Sequence, residues 1–79
     1  MEKAKGMFKK LGFVLIESNN NYILYEQHTE YDKTTIIFGF KPKEICFNSV
    51  DFQYGDTTST TVSLDLFSAI EQQKKELGW

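Results

Sequence analysis

The first apolar positions of the chain, Ala4, Met7, Phe8 and Leu11 in EKAKGMFKKLG, recur at the i, i+3, i+4, i+7 spacing that gathers side chains on one side of a helix. The pattern predicts a helix over residues 2 to 11. Gly12 follows the last apolar position, where a residue without a Cβ can take the left-handed conformation that ends a helix. Lys9 and Lys10 fall in the last turn, where the helix dipole favours cations. Gly6 weakens such a helix by roughly 0.5 to 1 kcal/mol relative to alanine, so tertiary contacts must hold it.

From residue 13 the period shortens. Phe13 to Glu17 and Tyr22 to Gln27 are β-rich runs separated by SNNN, and asparagine tolerates the positive φ of a tight turn, so the two form a hairpin. Thr34 to Phe40 is a third strand of β-branched and aromatic residues, and Lys41, Pro42 and Lys43 turn the chain into a fourth, Ile45 to Phe52. In that strand Ile45 and Phe47 share one face while Val50 and Phe52 share the other, which predicts a bulge near Asn48. Residues 54 to 61, YGDTTSTT, read as a turn or loop. Ser63 then caps a helix carrying Asp65 in its first turn, Leu66, Phe67, Ile70 and Leu77 at helical spacing, Gln72 to Glu76 facing water, and Gly78 as its stop.

The order αββββα describes an α+β fold, one domain over residues 1–79, with a four-stranded antiparallel sheet flanked by an N-terminal and a C-terminal helix. Met7, Phe8, Leu11, Phe67, Ile70 and Leu77 are expected to cover one face of the sheet. The strands do not alternate as a half-solvated sheet should: Phe13 and Leu15 oppose Val14 and Ile16, Ile36, Phe38 and Phe40 oppose Ile37, and Tyr22 and Leu24 oppose Ile23 and Tyr25. Two short helices cover a single face, so apolar side chains remain on the other. Three covers are open: the loop with Trp79 folded back, a second copy of the chain, or a different protein. The expected contact residues are Val14, Ile16, Ile23, Tyr25 and Ile37, with Tyr25 as the aromatic anchor.

Composition narrows the setting. Apolar residues make up 41% of the chain and charged residues 25%, the balance of an ordinary folded protein. The single cysteine, Cys46, excludes an intramolecular disulfide and fits a reducing cytoplasm. No apolar stretch has the length of a signal peptide's core or a membrane span, so neither export nor insertion is expected. A net charge of −2 and the absence of arginine argue against nucleic acid as a partner. The charge is uneven all the same. Lys3, Lys5, Lys9 and Lys10 make the opening positive, while Glu17, Glu26, Glu30 and Asp32 make the next twenty residues negative. A lysine-bearing helix beside Tyr22 and Tyr25 is the basis of an alternative reading, a small single-stranded nucleic-acid-binding module that attracts phosphate and stacks bases.

Catalytic chemistry is thin. Glu26, His28, Glu30 and Asp32 alternate along EQHTEYD and combine imidazole with carboxylates, but such a row is also the ordinary solvated end of a hairpin, and no metal or other cofactor is expected. Cys46 lies between Ile45 and Phe47, without a neighbouring base to form thiolate. Neither a phosphate-binding glycine loop nor a serine elbow is present, and the chain is expected not to be an enzyme.

The ending SLDLFSAIEQQKKELGW, the opening helix that closes on KKLGF, and the YILYE strand resemble short proteins encoded by phages and prophages of Gram-positive bacteria. The resemblance touches both ends and the middle of the chain, with the helix closing on ELGW as its most specific piece. It implies a phage or prophage accessory role and transfers no catalytic residue. The TTSTT segment is longer than the connections of that pattern, and Cys46 has no counterpart in it. The expectation is a non-enzymatic cytoplasmic accessory protein that contacts itself, as a dimer, or a host protein.

Overall fold

The computed structural model describes residues 3–51, 57–58 and 62–79. Helix α1 (Ala4–Lys10) turns Ala4 and Phe8 inward and keeps Lys9 and Lys10 in its last turn. Gly12 follows with φ +88°, the left-handed conformation expected of a glycine at a helix end. The Gln27 side chain donates from Nε2 to the carbonyl of Leu11 at 2.7 Å, satisfying one of the acceptors a helix end leaves open. The other end of α1 is served from the far terminus of the chain: Lys3 offers no side-chain cap, and the backbone N–H of Ala4 donates to Glu76 Oε2 at 2.7 Å.

Strands β1 (Val14–Ser18), β2 (Tyr22–His28), β3 (Asp32–Phe40) and β4 (Lys43–Asp51) form an antiparallel meander in chain order, the expected α+β sheet. A two-residue β5 (Thr57–Thr58) adds to the edge by pairing with Val50 and Ser49, within the segment expected to be loop. Helix α2 (Leu64–Leu77) completes the order. Among the described residues positive φ occurs only at Gly12 and Gly78, so the asparagines of the first hairpin act differently from expectation. Asn19 Oδ1 accepts from the backbone N–H groups of Asn21 and Tyr22 at 2.8 and 2.9 Å, holding the turn by side-chain hydrogen bonds. Thr29 does the same at the next turn, accepting from Tyr31 and Asp32. The Lys41–Pro42 peptide at the third is cis.

The bulge lies elsewhere than the alternation of β4 suggested. β4 runs in unbroken register with β3 from Lys43 opposite Phe40 to Asp51 opposite Asp32. The irregularity is in β1, where Leu15 pairs with Tyr25 and Glu17 with Leu24, leaving Ile16 as the extra residue. Phe52, which with Val50 prompted the expectation in β4, lies outside the described residues.

Ser63 caps α2 by accepting from Leu66 N–H at 3.1 Å, as its position predicts. At the other end Gly78 (φ +77°) and Trp79 donate their N–H groups to Lys75 and Lys74 carbonyls at 3.1 and 2.9 Å, the paired bonds of a Schellman ending. The inward face of α2 is Leu66, Ala69, Ile70 and Gln73. Phe67, expected there, is 53% exposed, and Gln73, expected in water, is buried. One helical position is 100° of rotation: a stripe centred on Leu66, Ala69, Ile70, Gln73 and Leu77 leaves Phe67 on its flank.

Between helices and sheet lies a core of Ala4, Phe8, Phe13, Ile23, Tyr25, Ile36, Phe38, Leu66, Ala69 and Ile70, with Met7, Leu11 and Leu77 packed against it. The Phe8 ring stacks on Tyr25 at 4.1 Å between centroids and meets the edges of Phe13 and Phe38 at 5.9 and 6.1 Å. Trp79 packs beside Phe38 and Phe40, at 6.4 and 6.2 Å. Those residues belong to the helix-covered face, so Trp79 does not close the other one.

Candidate functional site

Strand register divides the side chains between two faces. Ile23 pairs with Phe38 and Tyr25 with Ile36, and all four are buried beneath the helices. By alternation the opposite, open face carries Tyr22, Leu24, Glu26 and His28 from β2, Lys33, Thr35, Ile37 and Gly39 from β3, and Glu44, Cys46, Asn48 and Val50 from β4. From β1 it receives Val14, opposite Glu26, and Glu17, opposite Leu24. The bulged Ile16 stands 52% exposed and Val14 60% exposed.

Val14 and Ile37, two of the five expected contact residues, therefore face outward, and Ile16, unpaired in the bulge, is exposed as well. Val14 and Ile16 are well exposed, and Ile37 is partly so. Ile23 and Tyr25 are corrections: the structure buries both, with Tyr25 only 2% exposed. Strand β2 is apolar on both sides, and its own residues do not say which side the helices take. Phe8 decides it by stacking on Tyr25. The Tyr25 hydroxyl then donates to Gln73 Oε1 at 2.7 Å, which explains the buried glutamine. Burial, with the Glu76 carboxylate second, pushes that hydroxyl up to about 12.

In place of Ile23 and Tyr25 the open face gains Leu24, Tyr22 and Cys46, none of them among the expected contact residues. Leu24, Ile37 and Cys46 lie opposite one another on adjacent strands and form a transverse apolar row, with Glu17 at its β1 end. Leu24 and Ile37 are partly exposed and Cys46 is exposed. Tyr22 leans along the face and donates to Glu17 Oε2 at 2.6 Å, a bond that raises the tyrosine's pKa. Alternation ties these residues together: with Tyr25 set inward by Phe8, Tyr22 and Leu24 must both point outward.

The other candidates are not assembled into sites. His28 Nε2 contacts Glu26 Oε1, but Asp32 Oδ1 accepts from Thr29 Oγ1 at 2.6 Å within the turn. Among the described residues no group of three or more His, Cys, Asp or Glu side chains is placed to share a metal ion. The lysine-and-tyrosine arrangement is also divided, because α1 covers Tyr25 while Tyr22 stands on the opposite face. No helix among the described residues is long and apolar enough to cross a membrane.

Among the described residues, shallow clefts flank α1. One of about 360 Å³ runs between α1 and α2, lined by Met7, Lys10, Leu11, Asp65 and Ser68. Another, about 250 Å³, lies between α1 and the edge strand, lined by Lys5, Lys9, Phe13, Val14 and Leu15. Leu64, at 86% exposure, and Phe67 add apolar surface on the outer side of α2. No protein-family model, curated protein or solved structure matches this chain.

Proposed function

We propose that the chain is a non-enzymatic accessory protein of the phage or prophage type that acts in the cytoplasm by contact with another copy of itself or with a host protein, through the open face of its sheet. The observation that carries the reading is the exposure of Val14 and Ile16 beside the Leu24–Ile37–Cys46 row, on a face that neither helix nor Trp79 covers. Single apolar side chains in water are ordinary, but apolar side chains grouped on an uncovered face mark sites of association. The KKLGF, YILYE and ELGW segments support the phage-type assignment, and the lone thiol of Cys46 supports the compartment.

The test is sedimentation equilibrium at micromolar concentration together with affinity capture from a host lysate. Both are run on the native chain and on a Val14→Ser, Ile16→Ser variant. Association or capture that the variant loses supports the reading. A monomer that captures the same proteins with or without the substitutions sinks it.

A further inference from the structure

The apolar row of the open face has an acidic border. Glu17 ends the row at β1, Glu26 follows Leu24 along β2, and Glu44 lies beside Cys46 on β4, while Lys33 is the only lysine on that face among the described residues. The chain's cluster of lysines is on the other side, on α1 and just before it. Greasy surface and negative charge thus coincide on one face, and positive charge is concentrated behind it.

Resting on the reading of this face as a contact surface, we infer that its partner is a basic amphipathic helix of another protein, with an apolar stripe flanked by lysines or arginines. Such a helix would cover the open face as α1 and α2 cover the opposite one, making a third layer. From Glu17 on β1 to Cys46 on β4 the distance is three strand spacings, about 14 Å, which matches about ten residues of helix. Its stripe would pack on Leu24, Ile37 and Cys46, and its cations would reach Glu17, Glu26 and Glu44. A second copy fits less well. Face to face about a twofold axis, two copies would bring two acidic borders into one interface, and like-charge juxtaposition is what excludes partners. Presented by its α1, it would bring lysines without a stripe, because Ala4 and Phe8 are already buried.

The test is fluorescence anisotropy of labelled synthetic peptides titrated with the full chain, using a leucine–lysine amphipathic helix, a leucine–glutamate helix of the same pattern, and a scrambled leucine–lysine peptide. The expected result is saturable binding of the first, about tenfold or more tighter than either control and weakened by added salt. Amide NMR shifts should map to the open face. Glu17→Gln with Glu44→Gln should weaken binding about tenfold, whereas Glu30→Gln at the β2–β3 turn should not. Equal binding of the two amphipathic helices overturns the charge inference and leaves the contact face standing. Binding that maps to α1 or α2 overturns the location. Binding of neither helix overturns the inference, and the sedimentation and capture comparison then decides separately whether the face is a contact surface at all. Circular dichroism confirms that each variant is folded.

Discussion

Tyr25 joins three parts of the molecule: its ring stacks on Phe8 of α1, its strand pairs with β1 and β3, and its hydroxyl reaches Gln73 of α2. Truncation there is a core deletion. Tyr25→Ala is expected to cost about 3 to 5 kcal/mol, as for other large aromatics, and to unfold much of the population in chemical denaturation. Tyr25→Phe keeps the ring and leaves Gln73 Oε1 without its donor, for a cost of about 1 to 3 kcal/mol. The hydroxyl also sets an alkaline limit. With its pKa raised from 10.0 to about 12, the folded chain holds this proton more tightly than the unfolded chain does. That contribution is complete below pH 10 and is lost as pH rises toward about 12. Tyr22 shifts in the same direction through its bond to Glu17, so the wild-type slope contains both. Denaturation curves across this window should show a smaller loss of stability for Tyr25→Phe than for the native chain.

The two helices are held at their ends as much as along their faces. Glu76 accepts from the first backbone N–H of α1 and from Gln72 Nε2, so a carboxylate near the C-terminus of α2 serves the positive end of α1. Glu76→Ala should cost about 0.5 to 2 kcal/mol and raise amide exchange first at Ala4 and its neighbours in α1. The two helix-ending glycines should differ under substitution. A Cβ at Gly78 meets nothing within 4 Å, so Gly78→Ala should cost only the left-handed penalty of about 1 to 2 kcal/mol. At Gly12 the Cβ would stand 3.1 Å from Gln27 Nε2, the atom that holds the Leu11 carbonyl. Gly12→Ala should therefore be the more costly of the two by thermal melting.

The molecule as a whole is two-sided. One face of the meander lies under α1, α2 and Trp79, and the other presents Val14 and Ile16 beside a transverse apolar row bordered by carboxylates. Residues exposed in this way contribute little to the fold. Val14→Ser with Ile16→Ser should shift stability by no more than about 1 kcal/mol in denaturant, in contrast to Tyr25→Ala, while removing association through this face. A large destabilisation would mean that the two side chains serve the core.

The sequence by itself determined what depends on neighbours along the chain. Helical spacing located α1 and α2, Ser63 and Gly78 marked the ends of α2, and the asparagine run and Pro42 placed the first and third turns of the meander. It also showed that the strands carry more apolar side chains than one covered face accounts for. Tertiary structure alone decided which side each strand turns inward. Tyr22 and Leu24 compete with Ile23 and Tyr25 on nearly equal apolar terms, and the stack with Phe8 breaks the tie in favour of Tyr25. The same holds for Leu66 over Phe67, which depends on how α2 rolls against the sheet, and for the bulge at Ile16, which exists only as a mismatch between paired strands. Local preference is read from residues a few places apart; face and register arise from contacts between residues distant in the chain, which no pattern along it contains.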